Sequence, residues 1–361
     1  MPVQSPPIQL LESTSEMEQK LTPPPKTIFD TIPLGLVLTL AKPYLAGQSA
    51  DEAIKIAHRI YAENKFCGTL DILGEDAPTP AHCEGYVDAY KQLFDAVHAN
   101  QVPSTNPRER LTVSMKPSMF STMAPQHGSE SEKAQEDAFD RITRVVDYAL
   151  KKDIQVTLEA EDHRWTNFQL EAFFALINAG YTNLGTVLQT RLFRTENDIK
   201  RFDERMRVRL VIGIYNEPAQ IAHTDKRMMK DLVVQFAGNL LERGVYVEMA
   251  THDTKCIDNF YQYAAIPQRV PSTQFEHQML QGVPRQKIQK TLRSGEYFRD
   301  LQTTAAAADK PYLQELENTA VPVRMYLPFG TAKVSGAYCR RRLRENPNMI
   351  TYGFKNFFGI Q

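Results

Sequence analysis

Apolar residues recur along this chain in two alternating patterns. The first is a set of short runs rich in β-branched and other apolar residues, as is typical of buried strands. In chain order, these runs are residues 68–73, 111–116, 154–159, 184–189, 208–213, 245–250, 273–279 and 322–327. The second consists of amphipathic stretches with apolar side chains at helical spacing. In residues 134–152 the shared face holds Phe139, Ile142, Val146 and Ala149, and in residues 219–243 it holds Met229, Leu232, Val233, Phe236 and Leu240.

Eight strand candidates separated by helical stretches predict a parallel α/β fold, and the number eight favours a closed (βα)8 barrel of the TIM type. A doubly wound open sheet is the competing architecture. However, no strand candidate leads into a GxGxxG or Walker-type glycine loop. We therefore predict the barrel.

The organisation outside the barrel is also suggested by the pattern. Residues 1–35 are proline-rich and are expected to form a flexible arm. Residues 36–64 are predicted to be helical, with one face formed by Ala53, Ile54, Ile56, Ala57 and Ile60. Residues 65–361 are predicted to form the catalytic barrel domain.

Composition narrows the class of protein. A formal net charge of −1 gives no general electrostatic reason to bind nucleic acid or an acidic membrane surface. The four cysteines lie far apart, without a CxxC pair, which argues against a zinc site or a disulfide scaffold. No stretch approaches the roughly 18 consecutive apolar residues of a membrane span, and the first residues lack a signal core. A cytoplasmic protein is expected.

In a barrel of this type, chemistry is located where the strands end at their carboxyl side. Polar residues gather at these positions, although strands also become polar simply where they meet solvent. In chain order the positions hold Lys116; Glu159 with Glu161, Asp162 and His163; Gln189 and Arg191; Tyr215; Thr251, His252 and Asp253; Gln278, Met279 and Leu280; and Tyr326.

A second concentration of charge is the segment YCRRRLREN at residues 338–346. On a helix, Tyr338, Arg341, Arg342 and Glu345 would share one face, because residues three and four apart are neighbours. Two arginines beside an aromatic ring and a carboxylate can present a forked cation to a small anion. The alternative is a solvated helix with an ordinary Arg341–Glu345 pair.

Several motifs together resemble those of flavin-dependent proline dehydrogenases, both the monofunctional enzymes and the corresponding domain of bifunctional proline utilisation flavoproteins. They are VRLVIGIYNEP (208–218), YVEMATHD (246–253), FEHQML (275–280), MYLPFG (325–330) and YCRRRLREN, preceded by GTLDILGE (68–75) and LTVSMKPS (111–118). The likeness runs in family order from about residue 60 to the end.

The resemblance implies FAD-dependent oxidation of L-proline to 1-pyrroline-5-carboxylate, with hydride transfer to flavin N5 and electrons passed to a quinone-type acceptor. It also implies that the last helix lies across the barrel mouth. A pyrroline-5-carboxylate-consuming enzyme is a candidate partner, and peripheral association with the inner membrane is open.

The resemblance further implies residue roles. Arg341, Arg342 and Lys116 would bind the substrate carboxylate, with Glu345 on the same helix face. The walls of the substrate pocket would be Tyr215, Leu280, Tyr326 and Tyr338. Glu159 and Arg209 are the implied catalytic residues, with Arg209 at the flavin N5 edge. The implied cofactor contacts are Ala160, Gln189, Ile212, Gly213, Ile214, Thr251 and His252.

The chain also departs from the family pattern. Glu159 stands where the family has aspartate, Ile212 replaces a lysine, Ile214 replaces an alanine, and Arg191 and His277 replace aromatic residues. A divergent member that oxidises a substituted proline, or that serves a biosynthetic pathway, is therefore an alternative.

Three readings from other classes remain open. Lys116 at a strand end could act as the Schiff-base nucleophile of an aldolase-type barrel. The arginine-rich helix could belong to a non-enzymatic binder of nucleic acid or an acidic partner, although the neutral net charge argues against it. A metal site at residues 161–163 with His252 and Asp253 lacks HxH or HExxH spacing, and no metal is expected.

Overall fold

The strands form one closed parallel barrel. A computed structural model describes residues 34–74, 77–336 and 339 of the chain. Each strand pairs with its sequence neighbours, and the first pairs with the last, which excludes the open sheet. The strands are β1 (Cys67–Ile72), β2 (Thr112–Met115), β3 (Val156–Leu158), β4 (Leu184–Gln189), β5 (Arg207–Val211), β6 (Tyr246–Ala250), β7 (Phe275–Leu280) and β8 (Val323–Phe329). Every apolar run predicted to be a strand overlaps one, so the predicted barrel is confirmed.

Helices surround the barrel and cover its apolar outer face. They are α1 (Leu34–Ala41), α2 (Ala50–Asn64), α3 (Pro80–Ala99), α4 (Ser129–Lys151), α5 (His163–Asn178), α6 (Thr195–Asp198), α7 (Lys226–Glu242), α8 (Thr254–Phe260), α9 (Ile266–Gln268), α10 (Gln286–Ser294), α11 (Glu296–Gln302) and α12 (Lys310–Thr319). The predicted faces of α4 and α7 are the buried ones, except that Leu232 is only partly buried. No helix within the described ranges is long and apolar enough to cross a bilayer.

The segment predicted as one helical stretch, residues 36–64, is two helices with a break. A 3₁₀ turn at Lys42–Tyr44 follows α1, and the backbone then leaves the helical conformation until Ser49 caps α2. Pro43 cannot donate a backbone hydrogen bond, and Gly47 has φ +115°, a conformation that favours glycine. Both residues therefore favour a break here.

Helix α2 covers the boundary between β1 and β8. It packs against both strands, and a Cβ added to Gly68 of β1 would lie 3.4 Å from the Cβ of Ala57. In a simple (βα)8 barrel, this position belongs to the helix that follows β8. Because α2 occupies it, the chain after β8 must take another course.

The described part of that course leads toward the carboxyl ends of the strands. The backbone is helical at residues 332–336. Cys339 is buried together with Val37 and Ala41 of α1 and with Leu73, which follows β1. The predicted helix over the mouth otherwise lies outside the described residues, as does almost all of the predicted arm at 1–35.

The barrel interior near the amino ends of the strands is filled by ion pairs. Arg324 Nε lies 2.6 Å from Glu276 Oε1, and Arg207 pairs with Glu248. Arg207 also donates to the carbonyl of Val156, at 2.7 Å. The residues involved are almost completely buried. Buried charged side chains thus extend from the amino ends of the strands toward the carboxyl ends, where the candidate site lies.

Candidate active site

Three of the predicted site residues meet in the barrel interior around Arg209 of β5. The guanidinium donates to Glu159, and its Cζ lies 5.1 Å from the ring centroid of Tyr326. The Tyr326 hydroxyl donates to the same oxygen, Glu159 Oε1, at 3.2 Å. Arg209 is only 4% exposed, so its orientation is fixed by these contacts.

Two further partners of Arg209 come from β6 and β7. Its Nε donates to Gln278 Oε1 at 2.5 Å and lies 3.6 Å from Glu248 Oε2. Burial opposes the charge, but Glu159 and Glu248 outweigh it and raise the pKa of Arg209 above its ordinary value. The site therefore holds a permanent cation in a rigid frame.

Glu248 lies between Arg209 and Arg207, which is at the amino end of β5. Burial alone would raise the pKa of the Glu248 carboxyl, but Arg207 and Arg209 together hold that pKa below its usual value. Sequence reasoning missed Glu248, although it occupies an inward position in YVEMA, between apolar outward ones. This alternation of outward apolar and inward polar residues is the sequence signal that could have identified Glu248.

Lys116 follows β2 and pairs with a buried carboxylate. Its Nζ lies 2.6 Å from Asp71 Oδ1 and donates to the carbonyl of Ile72 at 3.4 Å. Burial raises the pKa of the Asp71 carboxyl, while Lys116 and the Tyr326 hydroxyl oppose that rise. Sequence reasoning placed Lys116 at the site but missed Asp71, its partner on β1.

Each cation of the described site has a carboxylate partner. Among the described residues, the positive charges of Lys116, Arg207 and Arg209 are balanced by those of Asp71, Glu159 and Glu248. The carboxylates lie in the barrel interior because a buried cation without a partner would destabilise the fold. The described site is close to neutral and strongly ordered.

Gln189, at the end of β4, faces Gly213 in the segment after β5. The Gln189 Nε2 group donates to the carbonyl of Glu161 at 2.8 Å. Gly213 has φ +104°, and a Cβ added there would lie 2.8 Å from Gln189 Oε1. Only glycine therefore fits this close approach. Ile212 beside it is half-buried and packs on the core, while Ile214 and Ala160 are half-buried.

The residues after β6 contact the end of β7. The backbone N–H of Leu280 donates to His252 Nε2 at 3.1 Å, which assigns the proton of the neutral ring to Nδ1. Burial, with Arg285 nearby, lowers the pKa of His252 to about 4. Thr251 accepts from the backbone N–H of Asp253, and Asp253 caps α8.

The residues considered for a metal site have separate partners. Glu161 accepts from the backbone N–H and hydroxyl of Ser118 at 2.8 and 2.7 Å. Asp162 caps α5, and His163 Nδ1 lies 2.6 Å from Glu217 Oε2. Within the described ranges, no three His, Cys, Asp or Glu side chains are grouped to hold a metal.

His277 and Arg191, two of the departures from the family pattern, lie in different parts of the barrel. His277 points outward into the helix layer, where its Nε2 lies 2.7 Å from the Tyr261 hydroxyl and burial lowers its pKa to about 3. Arg191 instead reaches the segment after β5 and donates to the carbonyl of Tyr215 at 2.6 Å. Tyr215 and Leu280 are half-buried. The remaining predicted residues, Tyr338, Arg341, Arg342 and Glu345, lie outside the described part of the chain.

Several buried polar atoms at this end of the barrel have no hydrogen-bond partner among the described residues. They lie at the end of β4 or in the segments after β4, β5, β6 and β7, and they are Gln189 Oε1, Arg191 Nε, Glu217 Oε1, His252 Nδ1 and Gln281 Oε1. Buried donors and acceptors are normally satisfied, so these atoms fit a polar group bound at the mouth. The fold and the site define a (βα)8 barrel enzyme whose cofactor and substrate would bind at the carboxyl ends of the strands.

Comparison with known proteins gives the family. Residues 53–351 match the family model described as proline dehydrogenase, and the chain belongs to this family of flavin-dependent oxidoreductases. It is 28% identical over 315 residues to a proline dehydrogenase of Deinococcus radiodurans, covering 87% of this chain and 88% of that protein. It is 28% identical over 317 residues to proline dehydrogenase 1 of Bacillus subtilis subsp. natto, covering 87% and 89%. The resemblance seen in the motifs is confirmed.

Larger proteins contain the same fold. The bifunctional protein PutA of Escherichia coli is 26% identical over 335 residues, which cover 85% of this chain and 23% of that protein. The crystal structure of proline utilization A from Bdellovibrio bacteriovorus, inactivated by N-propargylglycine, matches with a TM-score of 0.68 and 22% identity, covering 86% of this chain. The chain spans about a third of the length of that structure (33%). This structural likeness shows the shared barrel fold.

Proposed function

We propose that the chain oxidises L-proline to 1-pyrroline-5-carboxylate with FAD as cofactor and passes the electrons to a quinone-type acceptor. Membership of the proline dehydrogenase family supports the reaction. The observation that carries the proposal is the fixed Arg209–Glu159–Tyr326 cluster in the barrel interior, together with buried polar atoms at the mouth that have no partner in the described part of the chain. The reaction removes a hydride from a ring carbon and a proton from nitrogen, which leaves a cyclic imine.

The residues proposed to hold FAD line the ends of β3 to β6. They are Ala160, Gln189, Arg209, the backbone of residues 212–214, Thr251 and His252. Bound there, FAD would supply the hydride-accepting centre. Gly213 adds no side chain between the backbone and a ligand, and His252 Nδ1, which has no partner among the described residues, offers a donor.

Arg209 is proposed to stabilise negative charge that develops beside it. Four neighbours hold its guanidinium in place before any ligand binds, so little reorganisation is required. Glu159 orients this cation and the Tyr326 hydroxyl through one oxygen atom. The longer Glu159 side chain therefore retains polar contacts at the position where the family has aspartate.

The proposed substrate pocket lies between Lys116 and the aromatic residues. Tyr215, Leu280 and Tyr326 would surround the pyrrolidine ring and exclude water. Arg341 and Arg342 are proposed to bind the substrate carboxylate, and they share one predicted helix face with Tyr338 and Glu345. The occupation of the β1–β8 boundary by α2, and the burial of Cys339 near α1 and Leu73, support a course of this helix over the mouth.

The Schiff-base alternative is weakened by the surroundings of Lys116. Its Nζ lies 2.6 Å from Asp71 Oδ1, and a neighbouring carboxylate favours the ammonium form, which is not nucleophilic. A Schiff-base lysine instead needs a neutral amine.

Anaerobic titration tests the proposal. Purified protein loaded with FAD should be yellow, and L-proline should bleach the flavin absorption more effectively than hydroxyproline or pipecolate. Preferential bleaching by hydroxyproline would favour the substituted-proline alternative. Protein that binds no flavin, or that forms a borohydride-trappable adduct at Lys116, would overturn the proposal.

A further inference from the structure

The loop between β5 and α7, residues 212–225, contains no helix and includes the backbone proposed to run along the flavin. We refer to it as the β5–α7 loop. It begins with the backbone proposed to run along the cofactor and continues to Tyr215 at the mouth. A loop of this length does not keep one conformation without cross-links, because ordering each residue costs about 1–2 kcal/mol of backbone entropy.

The backbone of Arg191 lies between the two arms of this loop. Its N–H donates to the carbonyl of Ile212 at 3.1 Å, in the first arm. Its carbonyl accepts from the N–H of His223 at 2.8 Å, in the second arm. An isolated antiparallel bridge between Leu192 and Ala222 continues this pairing.

The side chain of Arg191 binds both arms again. Nη1 donates to the carbonyl of Tyr215 at 2.6 Å, and Nη2 donates to the carbonyl of His223 at 3.3 Å. A Cβ added to Gly213 would lie 3.0 Å from Arg191 Cδ, so the aliphatic part packs against the loop backbone. One residue therefore cross-links the loop with its backbone and with its guanidinium.

The Nε atom of Arg191 is buried and has no acceptor among the described residues. Gln189 Oε1, also buried and unpartnered in the described part of the chain, lies on the same side of Gly213. A donor and an acceptor are thus both available beside the proposed cofactor backbone.

We propose that Arg191 is a positioning residue that holds the β5–α7 loop in its flavin-binding conformation. The inference rests on the proposed function, because it assigns the loop to FAD. Arginine suits the role because its planar fork donates in several directions from one fixed plane. The single ammonium of a lysine would reach only one of the two carbonyls well.

The test compares Arg191→Met and Arg191→Lys with a matched control, Arg243→Met. Arg243 also cross-links backbone carbonyls, donating to Phe202 at 2.8 Å and to Lys200 at 2.9 Å, but it lies at the opposite end of the barrel. Hydrogen–deuterium exchange of the flavin-free full chain reports on the loop directly. Fluorescence titration with FAD gives the dissociation constant, and thermal unfolding reports whether each variant is folded.

In Arg191→Met we expect amides of residues 212–223 to exchange at least about tenfold faster and the Kd for FAD to rise at least about tenfold, equal to about 1.4 kcal/mol. Arg191→Lys should fall between this variant and the unsubstituted chain, and Arg243→Met should change neither quantity. Unchanged exchange in the loop, or a Kd within about twofold of the original, would overturn the inference.

The two proposals fail in different ways. If the unsubstituted chain binds no flavin, the proposed function fails, and the claim that Arg191 prepares the loop for flavin fails with it. If the unsubstituted chain binds FAD but Arg191→Met binds it equally well, only the role of Arg191 is wrong. If Arg191→Met does not fold, Arg191→Lys carries the same comparison.

Discussion

The guanidinium of Arg209 lies over the ring of Tyr326, and both groups donate to the same oxygen of Glu159. This shared oxygen fixes the cation relative to the aromatic wall of the proposed substrate pocket. Because Arg209 lies on β5, Glu159 after β3 and Tyr326 on β8, the relationship depends on closure of the barrel.

Replacing Glu159 tests this relationship. Glu159→Gln keeps an oxygen acceptor but removes the charge that orients Arg209, so we expect kcat/KM for proline to fall by about 10–100-fold while FAD stays bound. Steady-state kinetics and flavin absorbance measure the two effects separately. Asp147→Asn is the control, since Asp147 pairs with Lys151 on the exposed face of α4, and it should leave activity unchanged. Equal activity of Glu159→Gln and the original chain would disprove the role.

Glu248 should be required for stability. It is 2% exposed and faces both Arg207 and Arg209, so Glu248→Gln leaves two buried cations with less compensation. We expect the free energy of unfolding to fall by about 3–5 kcal/mol, measured by chemical denaturation of the flavin-free chain. The control Asp147→Asn, which removes the exposed pair with Lys151, should cost about 1 kcal/mol or less. Similar losses in both variants would contradict the account of the interior.

Gly213→Ala should impair flavin binding through steric overlap. An added Cβ meets Gln189 Oε1 at 2.8 Å, in a backbone conformation of φ +104°. Gly128→Ala is a matched control, because Gly128 has φ +117° but nothing within 4 Å of an added Cβ. Both variants should lose some stability, but only Gly213→Ala should raise the Kd for FAD, measured by fluorescence titration. A comparable rise in Gly128→Ala would show that backbone strain alone is responsible.

The His163–Glu217 contact predicts a pH dependence. The hydrogen bond that His163 donates to Glu217 raises the pKa of His163 above its ordinary value of 6.5, while burial opposes the rise and the nearby Asp162 and Arg164 act in opposite directions. The stabilising contribution is therefore fully present below about pH 6.5 and is lost as the pH rises through the higher folded-state pKa.

Unfolding measurements on the flavin-free chain and on His163→Gln check this sign. The stability difference between them should be largest below pH 6.5 and should shrink as the pH is raised. A difference that grows with rising pH would contradict the assignment of the proton to a His163–Glu217 pair.

The strands were predictable because each carries a compact apolar run, and the count of eight fixed the choice of barrel. Lys116, Glu159, Arg209 and Tyr326 were also among the predicted site residues, because they are polar groups at strand ends or beside recognisable motifs. The other carboxylates that pair with Lys116 and Arg209 were harder to predict from the sequence. Asp71 lies on β1 beside Lys116 after β2, and Glu248 lies on β6 beside Arg209 on β5. Which residues of neighbouring strands face one another depends on the register of the closed sheet rather than on any local signal.

The break between α1 and α2 illustrates a second limit. The apolar face of α2 was evident, but Pro43 and Gly47 were not weighed against the helical pattern of the whole segment. The role of Arg191 shows a third limit, because its partners are backbone carbonyls, which leave no trace in side-chain spacing.

The most direct test of the central claim is a kinetic isotope effect on anaerobic flavin reduction in the purified, FAD-loaded chain. L-proline deuterated at ring carbon C5 should reduce the flavin more slowly than unlabelled L-proline, whereas deuterium at C2 should have little effect. This outcome is expected if the hydride leaves C5 to give 1-pyrroline-5-carboxylate. Equal rates with all three substrates and no pyrroline-5-carboxylate formed, or no reduction by proline at all, would contradict the account.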